Sequence, residues 1–259
     1  MLILLTNDDG IHSAGLQALA DEMQSLGRVV IVAPDRERSA VGHALTLHSP
    51  LRAEEIQTDR WAVSGTPTDA VGLGIHGLLK EKPALVISGI NKGGNMGDDL
   101  TYSGTVAAAM EATLMGVPAI AVSSASTQFG YDDFRHSAVV ARQMAESVLE
   151  HGLPADTFIN VNVPDSAPKG IRLTRQGKRI YGDAVVQNRD PRGRTYYWIG
   201  AGELSFQNLE GTDFHAVQNG YVSVTPLHLD LTNYAAMDRL RQWRLEEGAF
   251  DDNKTGDES

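Results

Sequence analysis

The chain begins with an apolar run that ends in an acidic turn, and this junction limits the possible folds more than any other stretch. The run is Leu2-Ile3-Leu4-Leu5, and the turn is Asn7-Asp8-Asp9-Gly10. Four consecutive apolar residues are typical of a strand buried on both faces. Apolar residues at helical spacing follow, so the predicted order is strand, acidic loop, helix. In an open α/β sheet such a loop lies at the carboxyl end of a strand, where these folds bind ligands.

The same order recurs along the first half of the chain. Further buried strands are predicted at 29–33, 84–88 and 118–123, with helices between them and a helix at 132–151. Alternating strands and helices indicate an α/β fold with a doubly wound, mostly parallel sheet.

The second half reads differently. We predict a long C-terminal β-hairpin, with arms at 177–186 and 194–199 around a polar turn, and a final C-terminal helix at 234–245. The hairpin carries tyrosines and a tryptophan but has little core of its own, so we expect it to pack on another subunit. The predicted organisation is one α/β domain at 1–246, with a core at 1–165 and oligomerisation elements at 166–246. An acidic, disordered tail is expected at 247–259.

Composition excludes several classes of protein. The chain has no cysteine, which rules out disulfides, thiolate metal sites and a cysteine nucleophile. A formal net charge of -11 argues against binding along a nucleic-acid backbone. No signal-like leader precedes the first strand and no apolar run is long enough to span a bilayer, so we expect a cytoplasmic protein with no membrane partner.

Oxygen-bearing side chains follow three of the predicted strands. Asp8 and Asp9 follow the first, Ser39 the second, and Asn91 and Asn95 the third. Two adjacent carboxylates repel each other unless a cation lies between them, although a single Asp there could also cap a helix or shape the turn. Carboxylate, hydroxyl and amide oxygens suit Mg²⁺, Mn²⁺ or Ca²⁺ rather than zinc. We therefore expect a hard divalent cation at this edge of the sheet.

A helix start beside these loops offers a place for an anion. Ser103 is a candidate N-cap, and the N–H groups of the first turn, in Gly104 and Thr105, are available to a phosphate. A cation next to a phosphate cradle indicates phosphoryl transfer to water. A nucleotide-binding sensor or assembly protein without turnover fits the same pattern. Attack by Asp8 through an aspartyl-phosphate is a second enzymatic route, but that chemistry usually spaces its two acids one residue apart.

Other polar residues near these loops have two interpretations each. A packed or surface role is expected for His12 and His43 rather than catalysis. Lys92 either attracts phosphate or is solvated, and Tyr102 either stacks on a base or forms a wall. The pair Asp98-Asp99 is expected to serve the loop and a helix cap.

Four ordered motifs together resemble the SurE (survival protein E) nucleotidase family. They are Thr6-Asn7-Asp8-Asp9-Gly10, Pro34-Asp35-Arg36-Glu37-Arg38-Ser39, Ser88-Gly89-Ile90-Asn91-Lys92-Gly93-Gly94-Asn95-Met96-Gly97-Asp98-Asp99 and Tyr102-Ser103-Gly104-Thr105-Val106-Ala107-Ala108-Ala109-Met110-Glu111-Ala112. The resemblance implies a metal-dependent phosphatase that hydrolyses nucleoside 5′- and 3′-monophosphates by metal-activated water, with polyphosphate trimming in some members. It also implies a Rossmann-like core and a homodimer or homotetramer built by exchange of C-terminal elements.

The resemblance assigns roles to individual positions. The ligands of one divalent cation per subunit (Mg²⁺, Mn²⁺ or Ca²⁺) fall on Asp8, Asp9, Ser39 and Asn91. The phosphate contacts fall on Asn95, Ser103, Gly104 and Thr105. Catalysis is accordingly assigned to Asp8, Asp9 and Asn95.

Overall fold

The computed structural model describes residues 1–181, 185–199 and 204–243. The strands are β1 (Leu2–Thr6), β2 (Arg28–Pro34), β3 (Ala53–Gln57), β4 (Arg60–Val63), β5 (Leu85–Lys92), β6 (Ala119–Ser124), β7 (Thr157–Val163), β8 (Ile171–Leu173), β9 (Arg179–Tyr181), β10 (Val185–Arg189), β11 (Thr195–Ile199), β12 (Leu204–Phe206) and β13 (Val222–His228). The α-helices are α1 (Ala14–Met23), α2 (Pro67–Leu73), α3 (Gly104–Leu114), α4 (Arg135–His151), α5 (Asp213–Gln218) and α6 (Tyr234–Arg241). A π-helical turn (Gly74–Leu78) and two 3₁₀ turns (Gly97–Thr101 and Tyr131–Phe134) complete these elements.

The apolar runs of the first half form the centre of a nine-stranded sheet with the order β3-β4-β2-β1-β5-β6-β7-β13-β8. The six central strands, β4, β2, β1, β5, β6 and β7 in sheet order, run parallel to one another. On the two sides of this group, β3 pairs antiparallel with β4 and β13 pairs antiparallel with β7. The predicted α/β, doubly wound, mostly parallel fold is confirmed. The strand order reverses between β1 and β5, which is where open sheets of this type bind ligands.

Helices cover both faces of this sheet because the strands are apolar on both faces. Leu5 and Ile87 belong to the core under α1 and α4, whereas Leu4 and Val86 belong to the core under α2 and α3. Successive side chains of a strand point to opposite faces. Each continuous apolar run therefore supplies two cores at once, as a doubly wound sheet requires.

Side-chain caps fix the starts of the helices that lead away from the loops. Ser13 accepts the Leu16 N–H at the start of α1, and Ser103 accepts the Val106 N–H at the start of α3. At α2, Thr66 and Asp69 form a capping box. Because the caps hold these starts in place, the ends of the loops at the sheet edge are also held.

The predicted C-terminal hairpin is present but shorter than expected. Its arms are β10 and β11, which pair antiparallel with Asn188 opposite Tyr196. The first arm was expected to begin at 177, and this was wrong: β9 pairs with β12 instead. The segment at 179–181, which the sequence pattern assigns to the first arm of the hairpin, thus pairs with the more distant segment at 204–206.

The chain divides into two compact units, Met1–Leu229 and Asp230–Ser259. The described part of the second unit contains α6, which begins at Tyr234 as predicted. The predicted end of that helix at 245 and the predicted tail at 247–259 lie outside the described residues. The domain boundaries stay a prediction. Within the described ranges, no helix is both long and apolar enough to cross a membrane.

Candidate active site

Asp8, two residues after β1, lies directly against the start of α3. Its side chain is buried, and the Thr105 hydroxyl donates a hydrogen bond to Asp8 Oδ1 at 2.5 Å. A Cβ placed on Gly104 would lie 2.9 Å from Asp8 Cβ and 3.1 Å from Asp8 Oδ2. A Cβ closer than 3.0 Å forces its neighbour to shift, so only glycine fits here with Asp8 in its present position. The structure therefore brings Asp8, Gly104 and Thr105 together, although they are far apart in the sequence.

Asp9, in the loop after β1, contacts the last residue of β5. The backbone N–H of Lys92 donates to Asp9 Oδ2 at 3.1 Å, and Lys92 Nζ lies 3.7 Å from Asp9 Oδ1. Lys92 is thus an ion-pair partner of Asp9. The neighbouring Asn91 donates its amide Nδ2 to the Gly93 carbonyl at 2.8 Å. Among the described residues its Oδ1 accepts no hydrogen bond, which leaves that oxygen available as a ligand.

The loop after β2 reaches the same edge of the sheet. The backbone N–H of Arg38 donates to the Asp8 carbonyl at 2.7 Å, which brings the next residue, Ser39, to this edge. The Ser39 hydroxyl donates to Glu37 Oε1 at 2.6 Å. A hydroxyl that donates one hydrogen bond still has lone pairs to offer. Ser39 therefore lies on the same edge of the sheet as the acidic pair, exposed and with its hydrogen directed to Glu37.

Electrostatics at the acidic pair favour a cation. Burial raises the pKa of Asp8 to about 6; the charge of Asp9 adds to this effect and the hydrogen bond from Thr105 opposes it. Burial also raises the pKa of Asp9, an effect that Lys92 opposes and Glu37 increases. Burial and neighbouring negative charge thus disfavour the charged forms of both carboxylates, and a bound divalent cation would favour them.

The available donors fit a hard cation. They are two carboxylates, a hydroxyl and an amide oxygen, the ligand types of Mg²⁺, Mn²⁺ and Ca²⁺. In the part of the chain that the structure describes, no three His, Asp or Glu side chains gather as a metal-binding group. A cation here would therefore have two carboxylates, with Ser39 and Asn91 as the candidates for neutral oxygen ligands.

The start of α3 is the candidate anion-binding side of the site. Ser103 Oγ accepts the Val106 N–H at 3.1 Å, so this hydroxyl caps the helix. The N–H groups of Gly104 and Thr105 belong to the first turn, where a helix has no acceptor of its own. These N–H groups and the helix dipole favour a phosphate at this position.

Asn95 is held in place by residues that the sequence analysis did not identify. Its amide Nδ2 donates to Ser123 Oγ at 2.8 Å. Its backbone is bound by the side chains of Asn160 and Asn162 on β7. The available signal was the appearance of two asparagines inside an otherwise apolar strand, since a buried polar side chain requires a specific partner.

The remaining polar candidates have structural partners. His43 Nε2 lies 2.7 Å from Oε2 of the buried Glu111, which agrees with the packed role expected for this histidine. Asp98 accepts the Arg179 backbone N–H at 3.0 Å, and Asp99 forms an ion pair with the Arg179 side chain. This second acidic pair joins the loop to β9, as its expected role in loop structure required.

Fold and site together define a class of protein. It is a doubly wound α/β protein in which a pair of acidic residues, candidate ligands of a hard cation, lies against the N-terminus of α3 at the switch point of the sheet. The family model described as "Survival protein SurE" matches residues 3–183, and the chain belongs to this family. The predicted family is confirmed.

Similar proteins match over almost their whole length. The 5′-nucleotidase SurE of Syntrophotalea carbinolica is 61% identical over 245 residues, which cover 95% of this chain and 98% of that protein. The 5′-nucleotidase SurE of Geobacter sulfurreducens is 60% identical over 248 residues, covering 95% and 94%. The crystal structure of the SurE protein from Aquifex aeolicus aligns with a TM-score of 0.81 and 47% identity, covering 94% of this chain and 100% of that chain.

Proposed function

We propose that this chain is a 5′-nucleotidase, a phosphomonoesterase that hydrolyses nucleoside monophosphates to nucleoside and phosphate. The observation that carries the proposal is the contact of Asp8 with Gly104 and Thr105. It sets a candidate cation ligand against the N-terminus of a helix that can bind phosphate. Relatives at about 60% identity, which are named 5′-nucleotidases, support the same activity. By family resemblance, 3′-monophosphates and polyphosphate are further candidate substrates.

Asp8, Asp9, Ser39 and Asn91 would hold one divalent cation. A cation bound there polarises a phosphoryl oxygen and lowers the pKa of water. The residues of the chain prepare this set of ligands. Thr105 orients the Asp8 carboxylate, Lys92 holds Asp9 through its backbone N–H, and Asn91 keeps its Oδ1 available because its Nδ2 is bound to Gly93.

A second group of residues binds and orients the phosphate. The first-turn N–H groups of Gly104 and Thr105, under the cap provided by Ser103, would donate to phosphate oxygens. Asn95 would donate through its amide. Lys92, although paired with Asp9, is 37% exposed in its side chain and adds positive charge at the entrance. These donors hold the phosphate beside Asp8 and Asp9, where its charge is neutralised.

A sensor that binds nucleotide without hydrolysis would use the same contacts. Turnover distinguishes the two functions, because an enzyme releases many phosphates per chain whereas a sensor retains intact nucleotide. The names of the relatives favour the enzyme. The Asp8 carboxylate is almost fully buried and accepts a hydrogen bond from Thr105, which favours a ligand role over a nucleophile role.

We also propose a homo-oligomer, a dimer or tetramer, that uses the hairpin β10–β11. Trp198 is 63% exposed and Ile199 is 84% exposed within one chain. Exposed apolar side chains on an extended hairpin are typical of a surface that another subunit covers. The cytoplasmic location expected from the sequence stays a prediction.

The test of the proposed function is phosphate release from nucleoside 5′-monophosphates with Mg²⁺ or Mn²⁺ present. Asp9→Asn should lower kcat by about 100- to 1,000-fold, because it removes half of the negative charge that holds the cation. The fold should survive, since the change also removes one of two adjacent buried carboxylates. The matched control is Asp165→Asn, an exposed position, which should release phosphate at the wild-type rate. Near-wild-type release by a folded Asp9→Asn protein would refute the proposal.

A further inference from the structure

Asparagines are unexpected in the interior of β7, yet this strand contains two. Asn160 and Asn162 are both fully buried and lie on the same face of the strand. That face also carries Phe158, which belongs to the core under α3. A buried amide requires hydrogen-bond partners, so its partners show what it does.

Both amides bind one residue, Asn95. Asn162 accepts the Asn95 backbone N–H at 2.8 Å and donates to the Asn95 carbonyl at 2.9 Å. It thereby makes the two-way exchange that a neighbouring strand would make. Asn160 donates to the same carbonyl at 2.9 Å. The backbone of Asn95 is therefore fixed by three hydrogen bonds from β7, across 65 and 67 residues of sequence.

Strand register links this arrangement to the candidate metal site. Asn91 on β5 pairs with Ser123 on β6, and Ser123 pairs with Asn162 on β7. Residues in register on neighbouring strands lie side by side on one face. A polar row thus crosses three strands, from a candidate metal ligand to the residue that holds Asn95.

The side chain of Asn95 is also held, by one hydrogen bond. Its Nδ2 carries two hydrogens, and Ser123 Oγ accepts one of them at 2.8 Å. The second hydrogen stays available to another acceptor. Asn160 Oδ1, in contrast, is buried without a hydrogen-bond partner among the described residues, which costs stability. A polar residue kept at such a cost suggests a role beyond folding.

We propose that Asn160 and Asn162 are positioning residues, which fix Asn95 so that its second amide hydrogen meets a phosphate oxygen of the substrate. This inference rests on the proposed function. By this proposal β7, which does not border the switch point, contributes to phosphate recognition through its hydrogen bonds to Asn95. It also explains how the glycine-rich stretch 89–97, which runs from the end of β5 into the following loop, presents a donor in one position.

A double-mutant cycle on kcat/KM tests the inference. Asn162→Ala should lower kcat/KM by about 100-fold, the effect of a catalytic group displaced by about 1 Å. If Asn162 acts through Asn95, the double variant with Asn95→Ala should be no worse than Asn95→Ala alone, within about twofold. A merely structural role would make the two losses multiply. Multiplying losses, or wild-type kcat/KM in Asn162→Ala, would overturn the inference.

Two further variants separate positioning from damage to the fold. Asn160→Leu removes both the buried oxygen that has no partner and the hydrogen bond to the Asn95 carbonyl, so its melting temperature should stay close to the wild-type value while kcat/KM falls. A wild-type kcat/KM in this variant would overturn the inference even if Asn162→Ala does not fold. The matched control is Ser223→Ala, at the cross-strand partner of Asn162, which is equally buried but bound to Thr174. It should keep wild-type kcat/KM.

Affinity for inorganic phosphate, measured by calorimetry with Mg²⁺ present, gives the same cycle without turnover. Asn162→Ala should weaken phosphate binding in the wild-type protein. In a protein that already carries Asn95→Ala, the same substitution should have no further effect on phosphate affinity. A wild-type protein that binds phosphate but releases none from nucleotides would overturn the proposed function, and the cycle would still decide the inference. Phosphate affinity that is independent of Asn162 would overturn the inference alone.

Discussion

Substituting one glycine at the start of α3 should misplace Asp8 while leaving every predicted ligand present. In Gly104→Ala the added Cβ would lie 2.9 Å from Asp8 Cβ and 3.2 Å from Pro67 Cγ. Carbon atoms pack best at about 3.5–4.0 Å, so Asp8 or the helix start must move by roughly 0.6 Å or more. Overpacking of this kind costs about 1–3 kcal/mol of the free energy of unfolding. For a chain of this size each kcal/mol lowers the melting temperature by about 2 °C, so the expected fall is about 2–6 °C.

Gly104→Ala should lower kcat/KM strongly even at temperatures where the protein stays folded. A displacement approaching 1 Å at a catalytic group costs about 100-fold in rate, so kcat/KM for a nucleoside 5′-monophosphate should fall by that order. The matched control is Gly72→Ala in α2, where the added Cβ meets only Met115 Cε at an ordinary 3.5 Å. Helix propensity favours alanine there by about 1 kcal/mol. This control should melt at or above the wild-type temperature with unchanged kcat/KM.

The assay is phosphate release at saturating Mg²⁺, combined with thermal unfolding of the same samples. The reasoning would be refuted if Gly104→Ala kept wild-type kcat/KM, because the close packing of Gly104 on Asp8 would then have no consequence. It would also be refuted if both alanine variants lost activity equally.

Two other predictions concern stability and assembly. Hydrogen bonds from Thr46 and Thr66 overcome the effect of burial and hold the pKa of Asp69 below its ordinary value of 3.8, so its ionised form stabilises the fold above that pH. The free energy of unfolding of Asp69→Asn should therefore be about 1 kcal/mol below that of the wild type at pH 7. Urea titrations should show this difference between the two proteins shrinking as the pH falls below 3.8, and a difference that does not change with pH would contradict the prediction. Trp198→Glu should give a smaller species by light scattering at unchanged secondary structure, and an unchanged mass would argue against assembly through the hairpin β10–β11.

Much of the central architecture could be predicted from local sequence. The continuous apolar runs, such as Leu2-Ile3-Leu4-Leu5, identify strands buried on both faces, and the order of strands and helices then gives a doubly wound sheet. The same order places Asp8 and Asn91 at one edge, because the carboxyl ends of parallel strands meet there.

The missing parts depend on contacts between distant residues. The hydrogen bond from Thr105 to Asp8 joins residues 97 positions apart, and the bonds from Asn160 and Asn162 to Asn95 span 65 and 67 positions. No periodicity within a short window carries such information. The helix α5 is only six residues long, too short to show a helical pattern. Its first residue, the buried Asp213, accepts the backbone N–H groups of Gly97 and Gly177, which is again a tertiary contact.

The central claim is that oxygen atoms from the loops after β1 and β2 and from the end of β5 hold one cation beside the phosphate site. Anomalous diffraction from crystals soaked in Mn²⁺ tests it most directly. The account predicts one Mn²⁺ per chain within about 2 Å of carboxylate oxygens of both Asp8 and Asp9, with Asn91 Oδ1 and Ser39 Oγ completing the set. A manganese peak that touches neither aspartate, or the absence of any peak at this edge of the sheet, would contradict it.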